Sequence, residues 1–199
     1  MQPVFTHNSL MLIALIASLL IWRVMETGVD IRTHKRLRAG AQRQDKGSHL
    51  ALLFLLVSGL LLGVLLAYKV PATAITSAPD IFFWLGILLM DAGIALRLYA
   101  IVVLGAFFTV TVAVAPEQPV IEAGPYRLIR HPSYTGLLLI LLGFGLCLTN
   151  WLSLLVIMGC GLIGFSYRIH VEEHVLQTQL GQRYQEYMQR TKRLIPFVL

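Results

Sequence analysis

Five apolar runs, three near the length of a membrane-crossing helix and two on the short side for a full crossing, constrain this chain more than any other feature. They cover roughly residues 8–24, 50–68, 81–104, 133–148 and 151–167. A helix needs about 20 residues to cross the hydrocarbon of a bilayer. Only 13% of the residues are charged and the mean hydropathy is +0.74, whereas a soluble domain carries about 25% charge. In lipid, backbone polar groups must bond within their own segment, so the expected fold is all-α. The expectation is an integral membrane protein of about five transmembrane helices in 199 residues. That length leaves no room for a separate soluble domain. No small-residue cleavage signature follows the first run, which reads as a retained span.

Charge sets the expected topology. The net charge is +6, and Arg32, Lys35, Arg36, Arg38, Arg43 and Lys46 crowd the segment 30–49. A short basic loop between spans marks the cytoplasmic side, and it can touch anionic lipid headgroups. This excess does not point to nucleic acid. The N-terminus is then outside, as is the 69–80 connection, and the third run returns to the cytoplasm near Gly105. Cys147 and Cys160 lie inside apolar runs and read as small core residues rather than a disulfide. Gly63, Gly86, Gly93, Gly143, Gly145, Gly161 and Gly164 fit close helix packing. Asp91 and Arg97, inside the third run, are candidates for polar contacts within the bundle.

Residues 1–104 thus read as three N-terminal helices with a basic cytoplasmic loop. Residues 105–199 hold what looks like the chemistry. The stretch 106–130, with Thr109, Thr111, Pro116, Pro119, Gly124 and Pro125, leaves the lipid pattern and belongs at the interface or against protein. Only Thr149 and Asn150 separate the last two runs, so 133–167 is a tight helix 4–helix 5 hairpin. The polar tail that follows should be cytoplasmic and amphipathic. Val171, Val175, Leu176 and Leu180 recur at helical spacing, and Tyr184, Tyr187 and Met188 extend the stripe. It reads either as a helix on the membrane surface or as a helix capping a pocket above the hairpin.

Three polar groups converge in this topology. Arg130-His131-Pro132 stands at the mouth of the fourth run. Pro132 suits the first turn of a helix, and the free amides and dipole there favour an anion. The rival reading is an interfacial anchor. Arg168 and Glu172 are four apart and share one helix face. They either pair with each other or line a pocket with His131. His170-Val171-Glu172-Glu173-His174 matches a short H-x-x-E-H zinc pattern. It lacks an obvious third ligand other than His131, so interfacial histidines are the plainer reading and no metal is expected.

Taken in order, Gly124-Pro125-Tyr126, Arg130-His131-Pro132-Ser133-Tyr134, Arg168, Glu172-Glu173, Gly181, Tyr184, Tyr187 and Arg193-Leu194-Ile195-Pro196 resemble the isoprenylcysteine carboxyl methyltransferase family. The resemblance covers roughly residues 111–196; the first three runs match in hydropathy and order alone. It implies S-adenosylmethionine as methyl donor, held on the cytoplasmic side. Gln118, Pro119, Val120 and Ile121 would contact it largely through backbone. Tyr126, His131, Pro132, Ser133, Tyr134 and Glu172 would line the same pocket. Arg168 would meet the substrate, and Arg168 and Glu172 would be the catalytic pair. Thr111 stands where some members have glutamine.

The implied acceptor is lipophilic and enters from the bilayer, with membrane lipids as surroundings. The carboxylate of a prenylated cysteine or an analogue leads. A phospholipid amine or small thiol is the alternative within methyl transfer. A nicotinamide-dependent membrane reductase and a non-catalytic lipid-binding protein are the alternatives outside it. The compact length looks like a prokaryotic inner-membrane member.

Overall fold

The computed structural model describes residues 2–37, 42–43, 47–110, 113–114 and 119–195, with side chains except at 33–37, 42–43 and 113–114. Arg38 and Lys46 of the basic segment lie outside them. The described residues hold six α-helices: α1 (Ser9–Leu37), α2 (Ser48–Lys69), α3 (Pro79–Leu104), α4 (Pro132–Cys147), α5 (Trp151–Leu180) and α6 (Gln182–Arg190). One two-residue antiparallel pair joins β1 (Gln42–Arg43) to β2 (Ala113–Val114). Four helices, α1, α2, α3 and α5, are long and apolar enough to cross a membrane. This is an integral membrane protein.

Two boundaries differ from those expected. α1 runs to Leu37, so the first part of the basic segment is helical rather than loop. No glycine or proline interrupts 29–37, and charge alone does not stop a helix. The fifth run does not end at Tyr167; α5 is a single 30-residue helix. Hydropathy changes at Arg168 but the backbone meets no breaker until Gly181, whose φ of 60° ends the helix. α4, at 16 residues, is shorter than the ~20 residues of a full crossing. It is an inner helix, with most of its residues buried or half-buried.

Glycine brings the inner helices together. A Cβ on Gly86 would lie 2.5 Å from the Gly143 carbonyl oxygen, and one on Gly93 would lie 2.6 Å from that of Gly136. α3 and α4 therefore touch backbone to backbone at two levels. Such contact replaces the hydrophobic drive that lipid cannot supply between helices. On α2, glycine instead admits side chains of α5: a Cβ on Gly59 or Gly63 would meet the side chain of Cys160 or Ile157. Two apolar clusters fill the remainder, one around Leu141, Ile157 and Phe165, the other around Met11, Phe83 and Cys147.

The hairpin turn is buried and anchored. Asn150 caps α5 by accepting from the Ser153 amide at 3.0 Å, accepts from Thr73 Oγ1 at 3.0 Å, and donates to the Val70 carbonyl at 3.1 Å. The turn thus lies at the same end of the bundle as the 69–80 connection. The other end receives α3, the start of α4 and the end of α5.

Gly93→Ala should press α3 off α4 and cost about 1–3 kcal/mol, the usual range for overpacking. Gly28→Ala has nothing within 4 Å of the new methyl and should be neutral or slightly stabilising. Thermal unfolding in detergent would separate the two.

Candidate active site

At the end opposite the hairpin turn the chain encloses a cavity of about 510 Å³, within the ~300–1,000 Å³ of small-molecule sites. Each wall has a structural cause. α3 ends at Gly105, whose φ is 56°. A 3₁₀ turn over Gly124–Arg127 precedes α4. Pro132 opens α4 at its first position, where a missing amide hydrogen costs nothing. α5 continues past the bundle to bring Arg168, Glu172, Leu176 and Leu180 over the same space. α6 adds Tyr184 and Tyr187.

Arg168 organises one side. It is 2% exposed. Its Nη1 donates to Ser48 Oγ at 2.6 Å, Nη2 to the Val110 carbonyl at 2.7 Å, and Nε to the Tyr134 hydroxyl at 3.2 Å. One guanidinium therefore ties α2, the segment after α3, and α4 to α5. The Tyr134 hydroxyl passes its own hydrogen to Glu172 Oε2 at 2.6 Å. Arg168 and Glu172 share a helix face, as their spacing predicted, and Tyr134 links them. Oε1 of Glu172 takes no described donor.

Glu173 organises the other side. Its carboxylate, 3% exposed, accepts from Arg130 Nε at 2.9 Å, contacts His131 Nε2 at 3.3 Å, and meets Arg193 Nη2 at 2.9 Å. Arg130 also donates to the Met188 carbonyl at 3.1 Å and to that of Thr191. Arg130 is thus committed inside the protein. The fixed charge expected for an anion at the mouth of α4 is spent on Glu173. The same cluster clasps the end of the chain. The amides of Arg130 and His131 donate to the carbonyls of Lys192 and Arg193 at 2.7 and 3.0 Å, and Thr135 Oγ1 donates to that of Leu194 at 2.8 Å.

Aromatic rings line the space between. The His131 and Tyr134 rings stack at 5.5 Å. Tyr187 donates to the Tyr126 carbonyl at 2.7 Å. Burial, with Glu172 near, pushes the hydroxyls of Tyr184 and Tyr126 well above the usual tyrosine value. They stay neutral hydrogen-bonding groups at physiological pH.

Of the residues singled out in the sequence, Pro119, Val120, Ile121, Tyr126, His131, Ser133, Tyr134, Arg168 and Glu172 all line this cavity. Pro132 does not; it is buried at the start of α4. Gln118 and Thr111 lie outside the described residues, as does Pro196. His170 and His174 are exposed. No group of three His, Cys, Asp or Glu able to hold a metal occurs among the described residues. The sequence reading passed over the wall built by α1 and α2. There Trp22, Arg23, Glu26 and Asp30 face one face of α2, Leu53, Leu56, Val57 and Leu60. Glu26 pairs with Arg97, and Ser18 donates to Asp91 at 2.9 Å. Arg97 in an apolar run was the available signal, because a buried cation demands a carboxylate within reach. Ending the first span at Val24 put Glu26 outside it.

The cavity therefore joins polar groups from α1, α4 and α5 to an apolar wall rich in leucine. Residues 84–178 match the model of the isoprenylcysteine carboxyl methyltransferase (ICMT) family, which bears out the resemblance read from the sequence. Protein-S-isoprenylcysteine O-methyltransferase B of Arabidopsis thaliana is 34% identical over 115 residues, 57% of this chain and 58% of that protein. The uncharacterized protein YpbQ of Bacillus subtilis (strain 168) is 25% identical over 168 residues, 82% of this chain and 95% of its own. The solved eukaryotic intramembrane Ras methyltransferase ICMT superposes with a TM-score of 0.58 at 28% identity, over 73% of this chain and 52% of that one. The chain thus spans little more than half the length of the Arabidopsis relative and of the solved enzyme.

The two adjacent glutamates should behave differently. Glu173→Ala strands Arg130 in a buried site and should cost about 3–5 kcal/mol, read as a lowered unfolding temperature without ligand. Glu172→Ala removes one acceptor from Tyr134 and should cost only about 1 kcal/mol.

Proposed function

We propose that this chain transfers a methyl group from S-adenosylmethionine to a lipophilic acceptor that enters from the bilayer. The observation that carries this is the grouping, around one cavity, of nine of the residues that the family resemblance implies. The donor side is the wall from 105–199. Pro119, Val120 and Ile121 offer backbone groups, and Tyr126, His131 and Tyr134 offer rings. Glu172 has an open oxygen for an amine or a ribose hydroxyl. Ser133 and the first amides of α4 suit the carboxylate of an amino acid.

S-adenosylmethionine supplies an electrophilic methyl carbon on a sulfonium. An acceptor carboxylate is already a nucleophile, so the protein has no proton to remove. Its task is alignment for in-line displacement, and orientation alone supplies a large part of such catalysis. Arg168, held in three directions, suits the acceptor's anionic group, and the leucine face of α2 suits its apolar chain. Consecutive helices α1 and α2 scarcely pack on each other; α1 lies on α3 and α2 on α5. That separation leaves a route from the lipid to the leucine wall. The favoured acceptor is the carboxylate of a prenylated cysteine or an analogue. The site faces the cytoplasm, on the side of the basic segment, with the N-terminus outside, in the inner membrane of a prokaryote. The fourth helix, α4, need not reach both surfaces for this.

A nicotinamide-dependent reductase fits less well. Its extra phosphates need spare cations. Arg127 is exposed and outside the cavity lining, Arg130 is committed to Glu173, and Arg168 is bonded to Ser48 and Val110.

Calorimetry with S-adenosylhomocysteine tests the reading. The wild type should bind, and His131→Ala and Glu172→Ala should each weaken binding at least about tenfold. No binding by the wild type, or binding unchanged from wild type in both variants, contradicts it. Methyl-labelled donor should then mark a prenylcysteine analogue in preference to phosphatidylethanolamine or a small thiol.

A further inference from the structure

The proposed ligand contacts leave one polar network of the cavity unexplained, and half of it lies outside the segment matched by the family. Glu26 of α1 accepts from Arg97 twice, from Nε at 2.5 Å and from Nη2 at 2.8 Å. It also accepts from Trp22 Nε1 at 3.1 Å. The remaining edge of the guanidinium reaches α4, where Nη1 donates to Ser133 Oγ at 2.5 Å. The Phe108 ring lies 5.9 Å beneath the Arg97 Cζ. Trp22, Glu26, Arg97 and Ser133 all line the cavity.

Hydrogen accounting at Ser133 gives this network a direction. A serine hydroxyl has one hydrogen and two lone pairs. One lone pair receives the Arg97 hydrogen. No described group accepts the hydroxyl hydrogen, although Ser133 is only 6% exposed. A buried donor without an acceptor is costly. A cationic donor on the same oxygen also polarises the O–H and strengthens it as a donor. Arg97 cannot turn away to release this geometry, because the two parallel bonds to Glu26 fix its plane.

We infer that Glu26 and Arg97 are positioning residues that aim the Ser133 hydroxyl hydrogen into the cavity, where it donates to an acceptor atom of the bound methyl donor. The inference rests on the reading of the cavity as a methyl-donor site. Ser133 makes the contact, and Glu26 acts on it through Arg97. α1 thereby takes part in holding the donor although it lies outside the matched segment.

The test is S-adenosylhomocysteine affinity of the full-length protein in detergent, with the unfolding temperature of each variant taken without ligand. Ser133→Ala should bind about tenfold more weakly at nearly unchanged unfolding temperature. Glu26→Gln should bind about fivefold more weakly, and the double variant should bind no more weakly than Ser133→Ala alone. Should Glu26→Gln fail to fold, Glu26→Asp keeps the charge but shortens the fork, and it should give the same non-additive pattern. Equal binding by Ser133→Ala and the wild type overturns the positioning role, and so do additive losses in the double variant. A wild type that binds no S-adenosylhomocysteine instead contradicts the methyl-donor reading itself.

Discussion

One buried carboxylate, Glu173, holds the site end of this protein together. Two arginines and a histidine converge on it from three places: Arg130 before α4, His131 at its cap, and Arg193 at the end of the described chain. A carboxylate so deep in a membrane bundle is tolerable only when paired and hydrogen-bonded. In return, it fixes the angle at which α4 begins and draws the C-terminal segment against 128–135. Tyr184 and Tyr187 come with that segment, and so does the lower wall of the cavity. Remove the carboxylate and the walls lose their common anchor.

Beside it stands a neighbour with another task. Glu172 is one residue away on α5, so it points about 100° around the helix and lines the cavity instead of the clasp. Adjacent acidic residues thereby divide between the clasp and the cavity wall. Arg168 and Arg97 are the buried cations of that wall. Each is tied by several hydrogen bonds, Arg168 to α2 and α4 and Arg97 to α1 and α4. The protein uses few charges, and nearly every one that lies inside the bundle has a partner on another helix.

Much of the fold was legible in the sequence because lipid imposes one rule on every residue. Apolar runs marked the spans, and the glycines marked where helices touch. Asn150 with Thr149 marked the turn. The pocket residues between Pro119 and Tyr134 were legible mainly through the ordered family pattern, since a polar cluster at an apolar helix mouth also fits an interfacial anchor. Helix ends were less so. Hydropathy falls at Asp30 and at Arg168, but helix continuity depends on glycine, proline and caps, and none intervenes. The role of Arg130 was also hidden. Its motif suggests an anion site, and only the fold brings Glu173 from 43 residues away to neutralise it. Glu26 was missed for the same reason: its partner lies 71 residues along the chain, on another helix.

The central claim is that the cavity between α4, α5 and the 119–126 segment holds S-adenosylmethionine. Photo-crosslinking of methyl-labelled S-adenosylmethionine to the protein in native membranes, followed by peptide mapping, addresses it most directly. Label in the peptides containing 119–134 or 168–187, displaced by excess S-adenosylhomocysteine, is the predicted result. Label confined to other peptides, or no displaceable label at all, would contradict the account.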